Sequence, residues 1–584
     1  MLFLRWCKHH WFTLGLLLAF LLPFLAFSRS LIQDFAAIDD TFLIINNPTV
    51  HGIDFTHLKL AFTTFDPELY IPLTLLSFQI DWLIGSGSPV MFHLTNLLFH
   101  GLNTVLVGVF VLILLQGKDS AKGTSLTVAL LFAVHPLHTE AVVWASGRKD
   151  LLATFFFLGS AIVFAMSSPL RGESQVGDLR WGIYVCSILL FLLGLLSKVL
   201  IATLPAILVL TFLMHRQESM KKGFLKLAPF FLLSTIFLYV ALFGKERIIA
   251  SSSLLDTVIM AQKSAFFYIG KLLFPIGLTV IYPFQGTITL LSPEFFFPAL
   301  INLVLIGIAL WQWKKRPLVS YGILFFFFTL LPTFFNFHKG DLLFFAVDRY
   351  AYIPSIGLLL SLVLVSAELS DMFRLSRYVR VSVMIIVLTV FTGLSMRQTT
   401  FWDTPDTLFT HAIDLYPESA SARMAMGSVL RERNQLVEAF KVLHDGTKYS
   451  DHPGLNIEAG LVYASAGQVS DARQQFHLAL QKNPDLAPAM NYLGGLDEHD
   501  GDTASAMDWY QKAILSDPSF VSVRVHLARL LMKTGKLDEA FSQLTSAYSW
   551  NPVSFEVIDA FIALETLRKN VSEVGRWNEW KMKL

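Results

Sequence analysis

The chain of 584 residues is 54% hydrophobic but only 15% charged, and its formal net charge is +1. An average soluble domain has about 25% charged residues, so this composition excludes an ordinary soluble protein for most of the chain. The balanced charge argues against nucleic acid as a partner, because no basic surface dominates.

The hydrophobic excess lies in residues 1–396, whereas residues 397–584 have the composition of a soluble domain. A helix needs about 20 apolar residues to cross a bilayer. The first span follows basic residues without a small-residue cleavage site, so we interpret it as an uncleaved helix and not as a signal peptide. We predict an all-α chain, a polytopic membrane helix bundle followed by a soluble domain. The apolar runs predict about 11 spans, at 11–27, 93–115, 125–143, 151–167, 181–197, 199–214, 227–244, 296–312, 318–335, 352–367 and 380–396.

Basic residues occupy alternate loops between these spans, and the positive-inside rule places such loops in the cytoplasm. The N-terminus, with Arg5 and Lys8, is therefore predicted to be cytoplasmic. Because the number of spans is odd, the C-terminal region is predicted to be extracytoplasmic. The later basic residues on the cytoplasmic side are Lys118, Lys122, Arg171, Arg180, His215, Arg216, Lys221, Lys222, Lys226, Lys314, Lys315, Arg316, Arg374, Arg377 and Arg380.

Two apolar segments are not counted as spans. Residues 71–85 are too short and belong to the first outer loop, 28–92. Residues 264–284 carry Lys271, Pro275 and Pro283, and counting them would move the next basic loop outside. We predict that 264–284 is an interfacial or re-entrant element on the outer side, where irregular backbone is tolerated against protein or water.

The soluble region contains a repeat with a period of about 34 residues, which is typical of tetratricopeptide repeats. We predict four repeats, at 417–450, 451–484, 485–518 and 519–552, followed by a C-terminal helix. In the first repeat Asn434 occupies the glycine position of the turn. Such arrays bind extended peptides, and the alternative is a spacer or oligomerisation module. The residues that recur are Gly467, Gly501 and Gly535, Ala472, Ala506 and Ala540, and Pro484, Pro518 and Pro552.

Polar residues cluster on the predicted outer side, where a charge in hydrocarbon would cost at least about 2.5 kcal/mol and therefore suggests function. Acids and bases together suit a lipid-linked phosphosugar, because the phosphate needs cations and the acceptor hydroxyl needs a carboxylate base. Asp39 and Asp40 are the candidates for that base and for a divalent metal such as Mg²⁺ or Mn²⁺. The candidates for the phosphate are Arg349, Lys198, Arg148 and Lys149.

Each of these residues has a plainer interpretation. Asp39 and Asp40 can cap a helix, and Arg349 can anchor the chain at the headgroup zone. His135 and His138, with Glu140 nearby, have a spacing that zinc sites use. Pro136 disrupts that geometry, and two histidines near an interface more often make ordinary hydrogen bonds. The sequence contains no phosphate-binding loop or dinucleotide fingerprint in a credible context, so no nucleotide cofactor is expected.

Several strings together resemble a known family: DDTFLIINNPTV, HPLHTEAVVWASGRKDLLATFF, KLLFPIGLTVIYP and DRYAYIPSIGL, followed by tetratricopeptides. They resemble the bacterial tetratricopeptide membrane proteins that are related to the eukaryotic transmembrane-and-tetratricopeptide O-mannosyltransferases. The resemblance implies the GT-C class of glycosyltransferases, a polyprenyl-phosphate-linked sugar donor and an active site at the outer face. It also implies a bacterial inner membrane with a periplasmic repeat domain.

The resemblance assigns site residues by position. The acidic motif of the first outer loop, central to catalysis in this class, falls on Asp39 and Asp40. The chain departs from the eukaryotic members at Ile71, where they carry Arg, and at Val199, where they carry an acid, so their donor sugar is not transferred to it. The supporting polar and donor-site residues are His135, His138, Glu140, Arg148, Asp150, Arg349 and Tyr350.

We therefore expect an integral-membrane glycosyltransferase that moves a sugar from a polyprenyl-phosphate donor to a protein Ser or Thr at the extracytoplasmic face. The repeats are expected to present the protein acceptor. One alternative is a non-catalytic, membrane-anchored tetratricopeptide scaffold. Another is a GT-C transferase that acts on a surface glycan or lipid, with the repeats binding partner proteins.

Overall fold

The computed structural model describes residues 2–36, 38–66, 69–167, 177–215, 220–245, 253–339 and 342–584. The described part of the chain is almost entirely helical, with 26 α-helices and one three-stranded antiparallel sheet, which confirms the all-α prediction. The sheet has the order β1-β3-β2, with β1 Tyr282–Pro283, β2 His338–Lys339 and β3 Leu342–Ala346. Arg171 and Arg216, predicted in cytoplasmic loops, lie outside the described residues.

The chain forms two compact units. The first comprises Met1–Ile45 and Phe65–His411, and the second comprises Asn46–Thr64 and Ala412–Leu584. The units divide between His411 and Ala412, whereas the last apolar helix ends at Thr400, close to the predicted boundary at 396/397. Part of the predicted outer loop 28–92 is grouped with the repeats.

The helices of residues 1–400 comprise long apolar segments and several shorter ones. Within the first unit α4 packs against α1, α5 and α7, while α13 packs along α14. In chain order the helices are α1 Leu2–Ala26, α2 Phe55–Thr63, α3 Pro72–Gly85, α4 Pro89–Leu114, α5 Ala121–Ala133, α6 Thr139–Val143, α7 Arg148–Ser167, α8 Gly177–Ser197, α9 Leu204–His215, α10 Met220–Lys245, α11 Leu254–Leu273, α12 Pro293–Gln312, α13 Pro317–Leu330, α14 Pro354–Met372 and α15 Arg377–Thr400.

Seven of the described helical segments are long and apolar enough to cross a membrane. An eighth span results if Ala121–Ala133 and Pro136–Val143, which meet at 54°, form one bent span. Three shorter apolar helices are His10–Ala26, Trp181–Ser197 and Val199–Met214. Each predicted span coincides with one of these segments, and they indicate a membrane protein.

Residues 264–284 fold as the C-terminal half of α11 and a loop that leads into β1. The helix buries Ser264 and Tyr268 and exposes Phe266 and Leu273. Its Lys271 ammonium donates to the carbonyl oxygens of Ile276 at 2.6 Å and Gly277 at 2.9 Å. This two-sided helix and its capped end are compatible with an interfacial element, which stays a prediction.

Helices α13 and α14 cross at two glycines. A Cβ atom on Gly322 would approach the carbonyl oxygen of Gly357 more closely than 3.0 Å, and a Cβ atom on Gly357 would do the same to the carbonyl of Gly322. Small residues allow membrane helices to approach to this degree. The crossing therefore depends on glycine at both positions.

Gly322→Ala is expected to lower the stability of the protein by about 1–3 kcal/mol, because the added methyl group forces the two helices apart. The measurement is the thermal unfolding midpoint in detergent. Gly307→Ala on α12 is the matched control, since a Cβ atom there has nothing within 4 Å. Equal midpoints for the two variants would contradict the close crossing.

The second unit contains stacked helix pairs, as the repeat predicts. The turn positions Gly467, Gly501 and Gly535 all have positive φ, and so does Asn434 at 59°. Left-handed backbone favours glycine and tolerates asparagine, which explains both residue choices. After α16 Pro405–Leu415, the helices are α17 Ala420–Glu432, α18 Leu436–Gly446, α19 Pro453–Ser465, α20 Val469–Lys482, α21 Ala487–His499, α22 Thr503–Ser516, α23 Val521–Lys533 and α24 Leu537–Trp550.

The predicted C-terminal helix is in fact a fifth helix pair, α25 Phe555–Leu567 and α26 Val571–Lys583. Lys569 occupies its turn with φ of 59°. The sequence signal was missing because a lysine stands where the other turns carry glycine or asparagine. The aligned alanines of the repeats, Ala439, Ala472, Ala506 and Ala540, are fully buried between paired helices.

Candidate functional site

The carboxylate of Asp40 is buried and held by three donors. Its Oδ1 atom accepts hydrogen bonds from the backbone N–H of Ser146 at 2.9 Å and from the Ser146 hydroxyl, and its Oδ2 atom accepts from the N–H of Ala36 at 2.9 Å. Burial raises the pKa of Asp40 to about 6, while these hydrogen bonds favour the ionised form and limit the rise. Asp40 therefore ties the first loop to the turn before α7 instead of capping the helical turn that follows it.

Asp39 is the accessible member of the acidic pair. Its side chain is 28% exposed, and its Oδ2 atom lies 3.4 Å from the Nζ atom of Lys149. The ammonium of Lys149 also lies 4.8 Å from the centre of the Trp144 ring, within range of a cation–π interaction. Of the two carboxylates, Asp39 is the one that a ligand can reach.

Glu140 and Arg349 join α6 to the turn before α14. The backbone N–H of Arg349 donates to one carboxylate oxygen of Glu140 at 2.8 Å, and its Nη1 atom donates to the other. The guanidinium carbon of Arg349 lies 5.0 Å from the centre of the Trp144 ring and 5.3 Å from that of Tyr350. Arg349 is thus fixed by a carboxylate and stacked among aromatic rings, next to the ring that Lys149 also contacts.

Lys198, at the junction that follows α8, is the third cation of a cluster that also contains Lys149 and Arg349. Its Nζ atom donates to Asp150 Oδ1 at 2.6 Å and lies 5.7 Å from the centre of the Tyr350 ring. Burial lowers the pKa of Lys198 to about 8; Asp150 opposes this, and the positive charges of Lys149 and Arg349 lower the pKa further. The three cations are therefore close enough to repel one another, and an added anion would relieve that repulsion.

Arg148 is not part of this cluster. Its guanidinium is fully buried and donates to Asp81 Oδ2 at 2.6 Å, to the carbonyl oxygen of Phe92 at 2.8 Å and to Asn96 Oδ1 at 2.5 Å. These partners lie on α3 and α4, so Arg148 holds three helices together. Its neighbour Lys149, one residue later, faces Asp39 instead.

The histidines of the HPLH string also have structural partners. His135 bonds to the N–H of Leu137 at 3.2 Å and to the carbonyl of Leu272 at 3.0 Å. His138 bonds to the carbonyl of Phe132 at 2.9 Å and to a serine hydroxyl at 3.0 Å. Both rings are buried, and each of their nitrogens already has a protein partner. A zinc ion would have to break these hydrogen bonds.

No group of three or more His, Cys, Asp or Glu side chains in the described parts of the chain is placed to hold a metal ion. Both carboxylate oxygens of Asp40 accept hydrogen bonds from the protein, and Asp39 forms an ion pair with the ammonium group of Lys149. The acidic pair thus has no third such side chain grouped with it among the described residues. Metal dependence stays a prediction, which chelation tests.

The loop that carries the acidic pair is anchored at its start to the end of α15. Arg29 Nε lies 2.8 Å from each carboxylate oxygen of Asp403. Gln33 donates both to Asp403 and to the carbonyl of Thr399, each at 2.8 Å. Residues 29–33 are thus held in place a few residues before Asp39.

The sequence patterns did not indicate Trp144, Ser146 or Asp81 as site residues. Trp144 contacts two of the three cations, Ser146 holds Asp40, and Asp81 pairs with Arg148. Trp144 and Ser146 lie within the HPLHTEAVVWASGRKD string quoted above. The position of an aromatic residue between acidic and basic residues in that string could have indicated Trp144. Asp81 lies in a short apolar segment and gave no such signal.

Comparison with known proteins agrees with this architecture. A tetratricopeptide repeat family model matches residues 457–519. The protein O-mannosyl-transferase TMTC4 of Mus musculus is 35% identical over 170 residues, which are 26% of this chain and 23% of that protein. A protein O-mannosyl-transferase of Caenorhabditis elegans is 23% identical over 435 residues, which are 69% of this chain and 58% of that protein.

The fold and these matches together indicate a membrane protein that carries tetratricopeptide repeats. The chain is, further, related to the protein O-mannosyl-transferases. Its match spans about a quarter of the length of the mouse relative and somewhat over half of the nematode one. Among solved structures, Pseudomonas aeruginosa PilF is 16% identical with a TM-score of 0.26, covering 30% of this chain and 79% of that chain. A TM-score this low has no bearing on function.

Proposed function

We propose that this chain is an integral-membrane glycosyltransferase of the GT-C class. It transfers a sugar from a polyprenyl-phosphate donor to a Ser or Thr hydroxyl of a protein, at the extracytoplasmic face of a bacterial inner membrane. The observation that carries the proposal is the convergence of Lys149, Lys198 and Arg349 beside the accessible carboxylate of Asp39. An anionic leaving group and a hydroxyl nucleophile need such a combination.

The transfer makes one bond and breaks one. The acceptor oxygen attacks the anomeric carbon of the sugar, and the bond from that carbon to the phosphate oxygen breaks. Asp39 takes the proton of the acceptor hydroxyl as general base. The phosphate leaves with increased negative charge, and fixed cations stabilise that charge as it develops.

The remaining site residues position these groups. Glu140 and Asp150 hold Arg349 and Lys198, since each carboxylate pairs with one cation. Asp40 holds the loop of Asp39 through Ser146 and Ala36. Long cationic side chains that are held in this way lose less freedom when the phosphate binds, which favours binding and transfer.

The proposal also assigns an orientation and a partner. The N-terminus is cytoplasmic and the repeat domain periplasmic, in accordance with the distribution of basic loop residues. The repeats bind the acceptor protein and raise its concentration near the site. The names of the related O-mannosyl-transferases support a protein acceptor.

The test is sugar transfer by the purified full chain in lipid nanodiscs. A panel of polyprenyl-phosphate sugars is supplied with and without Ser/Thr peptides, and with and without EDTA. Protein-free nanodiscs are the control. Glycosylated peptide from one donor supports the proposal, and loss of that product with EDTA would add a metal requirement.

Two outcomes contradict the proposal in different ways. Donor turnover that glycosylates lipid or glycan acceptors but no peptide would assign the surface-glycan function. Absence of turnover with every donor, while partner proteins still bind the repeats, would assign the scaffold function.

A further inference from the structure

The indole of Trp144 has an unusual environment. The side chain is 2% exposed, and its Nε1–H group has no hydrogen-bond partner among the described residues. Buried tryptophan N–H groups normally find a partner, because an unsatisfied donor away from water is unfavourable. Such a group therefore calls for an explanation.

The charges around the ring indicate which partner is missing. The Lys149 ammonium lies 4.8 Å and the Arg349 guanidinium carbon 5.0 Å from the ring centre. The Nε atom of Arg349 is also buried and has no partner in the described structure. Two unpaired N–H donors thus belong to side chains in contact, with a further cation beside them. A ligand that accepts hydrogen bonds from both donors lies beside two positive charges, so a negatively charged ligand is favoured.

The position of Trp144 is fixed by its backbone. Its carbonyl oxygen accepts hydrogen bonds from Asn96 Nδ2 at 2.8 Å and from the N–H of Gly147 at 2.9 Å. Its ring packs against that of Trp402, with 6.5 Å between the ring centres. The unpaired donor is therefore held in place before any ligand arrives, which favours recognition over a purely packing role.

We propose that Trp144 Nε1–H and Arg349 Nε–H donate hydrogen bonds to a phosphate oxygen of the polyprenyl-phosphate donor. This assignment rests on the proposed function, and it adds Trp144 as a residue that recognises the donor. Lys149 supplies charge beside the same ring, and Lys198 supplies charge from the Tyr350 side. Trp144 distinguishes a lipid that ends in a phosphate from one that ends in a neutral hydroxyl.

The test is ligand binding, which requires no turnover. Wild type and Trp144→Phe are reconstituted in phosphatidylcholine nanodiscs and titrated with farnesyl phosphate and with farnesol. Phenylalanine keeps an aromatic ring next to the cations but lacks the N–H group. We expect Trp144→Phe to weaken farnesyl phosphate binding about 10-fold, as for a hydrogen bond to a charged group, and to leave farnesol binding unchanged.

Two further variants serve as controls. Trp509→Phe makes the same change at a partly buried ring of the repeats, and it should bind farnesyl phosphate within about twofold of wild type. Arg349→Lys keeps the positive charge but removes the Nε donor, and it should weaken farnesyl phosphate about as much as Trp144→Phe. Arg349→Lys keeps the proposal testable if Trp144→Phe does not fold.

Three results would overturn the proposal. The first is wild-type affinity for farnesyl phosphate in both Trp144→Phe and Arg349→Lys, and the second is an equal loss for farnesol. The third is displacement of farnesyl phosphate by an equimolar amount of inorganic phosphate, which would assign the site to free phosphate. If no donor is turned over but the phosphate-specific loss is found, the transferase proposal fails while the binding assignment stands.

Discussion

Asp39→Asn is expected to reduce sugar transfer at least about 100-fold, because it removes the general base while leaving the loop in place. Asp39 is partly exposed, but its partner Lys149 at 3.4 Å is buried, so the stability of the variant is measured beside its activity. The measurement is kcat for peptide glycosylation with the donor that the wild type uses. Thermal unfolding of the same sample reports stability.

Two matched variants separate the roles within the loop. Asp34→Asn changes an exposed carboxylate that accepts from the N–H of its own neighbour, Phe35, and transfer should be retained. Asp40→Asn disturbs the bonds to Ser146 and Ala36, so it should lower both transfer and the unfolding midpoint. If Asp39→Asn were active while Asp40→Asn were inactive with unchanged stability, the base would be Asp40.

Arg148→Met is expected to destabilise the protein by about 3–5 kcal/mol, because it leaves the buried carboxylate of Asp81 without its cation. Both side chains are almost completely buried, with exposures of 0% and 2%. The measurement is unfolding in mixed detergent micelles. Adding Asp81→Asn to Arg148→Met should recover much of the loss, since no unpaired charge then stays buried.

The neighbouring residue provides the contrast. Lys149→Met should cost less stability than Arg148→Met, because Asp39 stays partly exposed to water whereas Asp81 is buried, but it should lower sugar transfer. Adjacent residues of one helix would then show opposite effects. A stable Arg148→Met protein without transfer activity would instead return Arg148 to the phosphate site, where the sequence pattern placed it.

These two contrasts also show where sequence patterns were sufficient. Apolar length placed a described helical segment at each predicted span, and seven of these segments are long and apolar enough to cross a bilayer, or eight with the bent pair. The period of about 34 residues located the four repeats, and it found Asn434 in a glycine position because left-handed backbone restricts the residue choice. The fifth helix pair was missed because Lys569 adopts the same backbone conformation without the expected residue type.

The acidic pair illustrates the boundary between the two kinds of information. Sequence pattern selected Asp39 and Asp40 together and gave no reason to prefer either. The structure separates them, since Asp40 is buried with three donors and Asp39 retains exposure beside Lys149. Burial depends on how the loop packs against Ser146, which lies far along the chain.

By itself, the sequence determined the membrane class, the helical repeats and the set of charged residues from which a site is built. These features follow from local composition and period, which act over one helix or one repeat. Only the tertiary structure decided which charges meet: Asp39 with Lys149, Glu140 with Arg349, Asp150 with Lys198, and Arg148 with Asp81. The physical reason is that a buried charge takes the partner that helix packing brings within contact, and no local pattern records that partner.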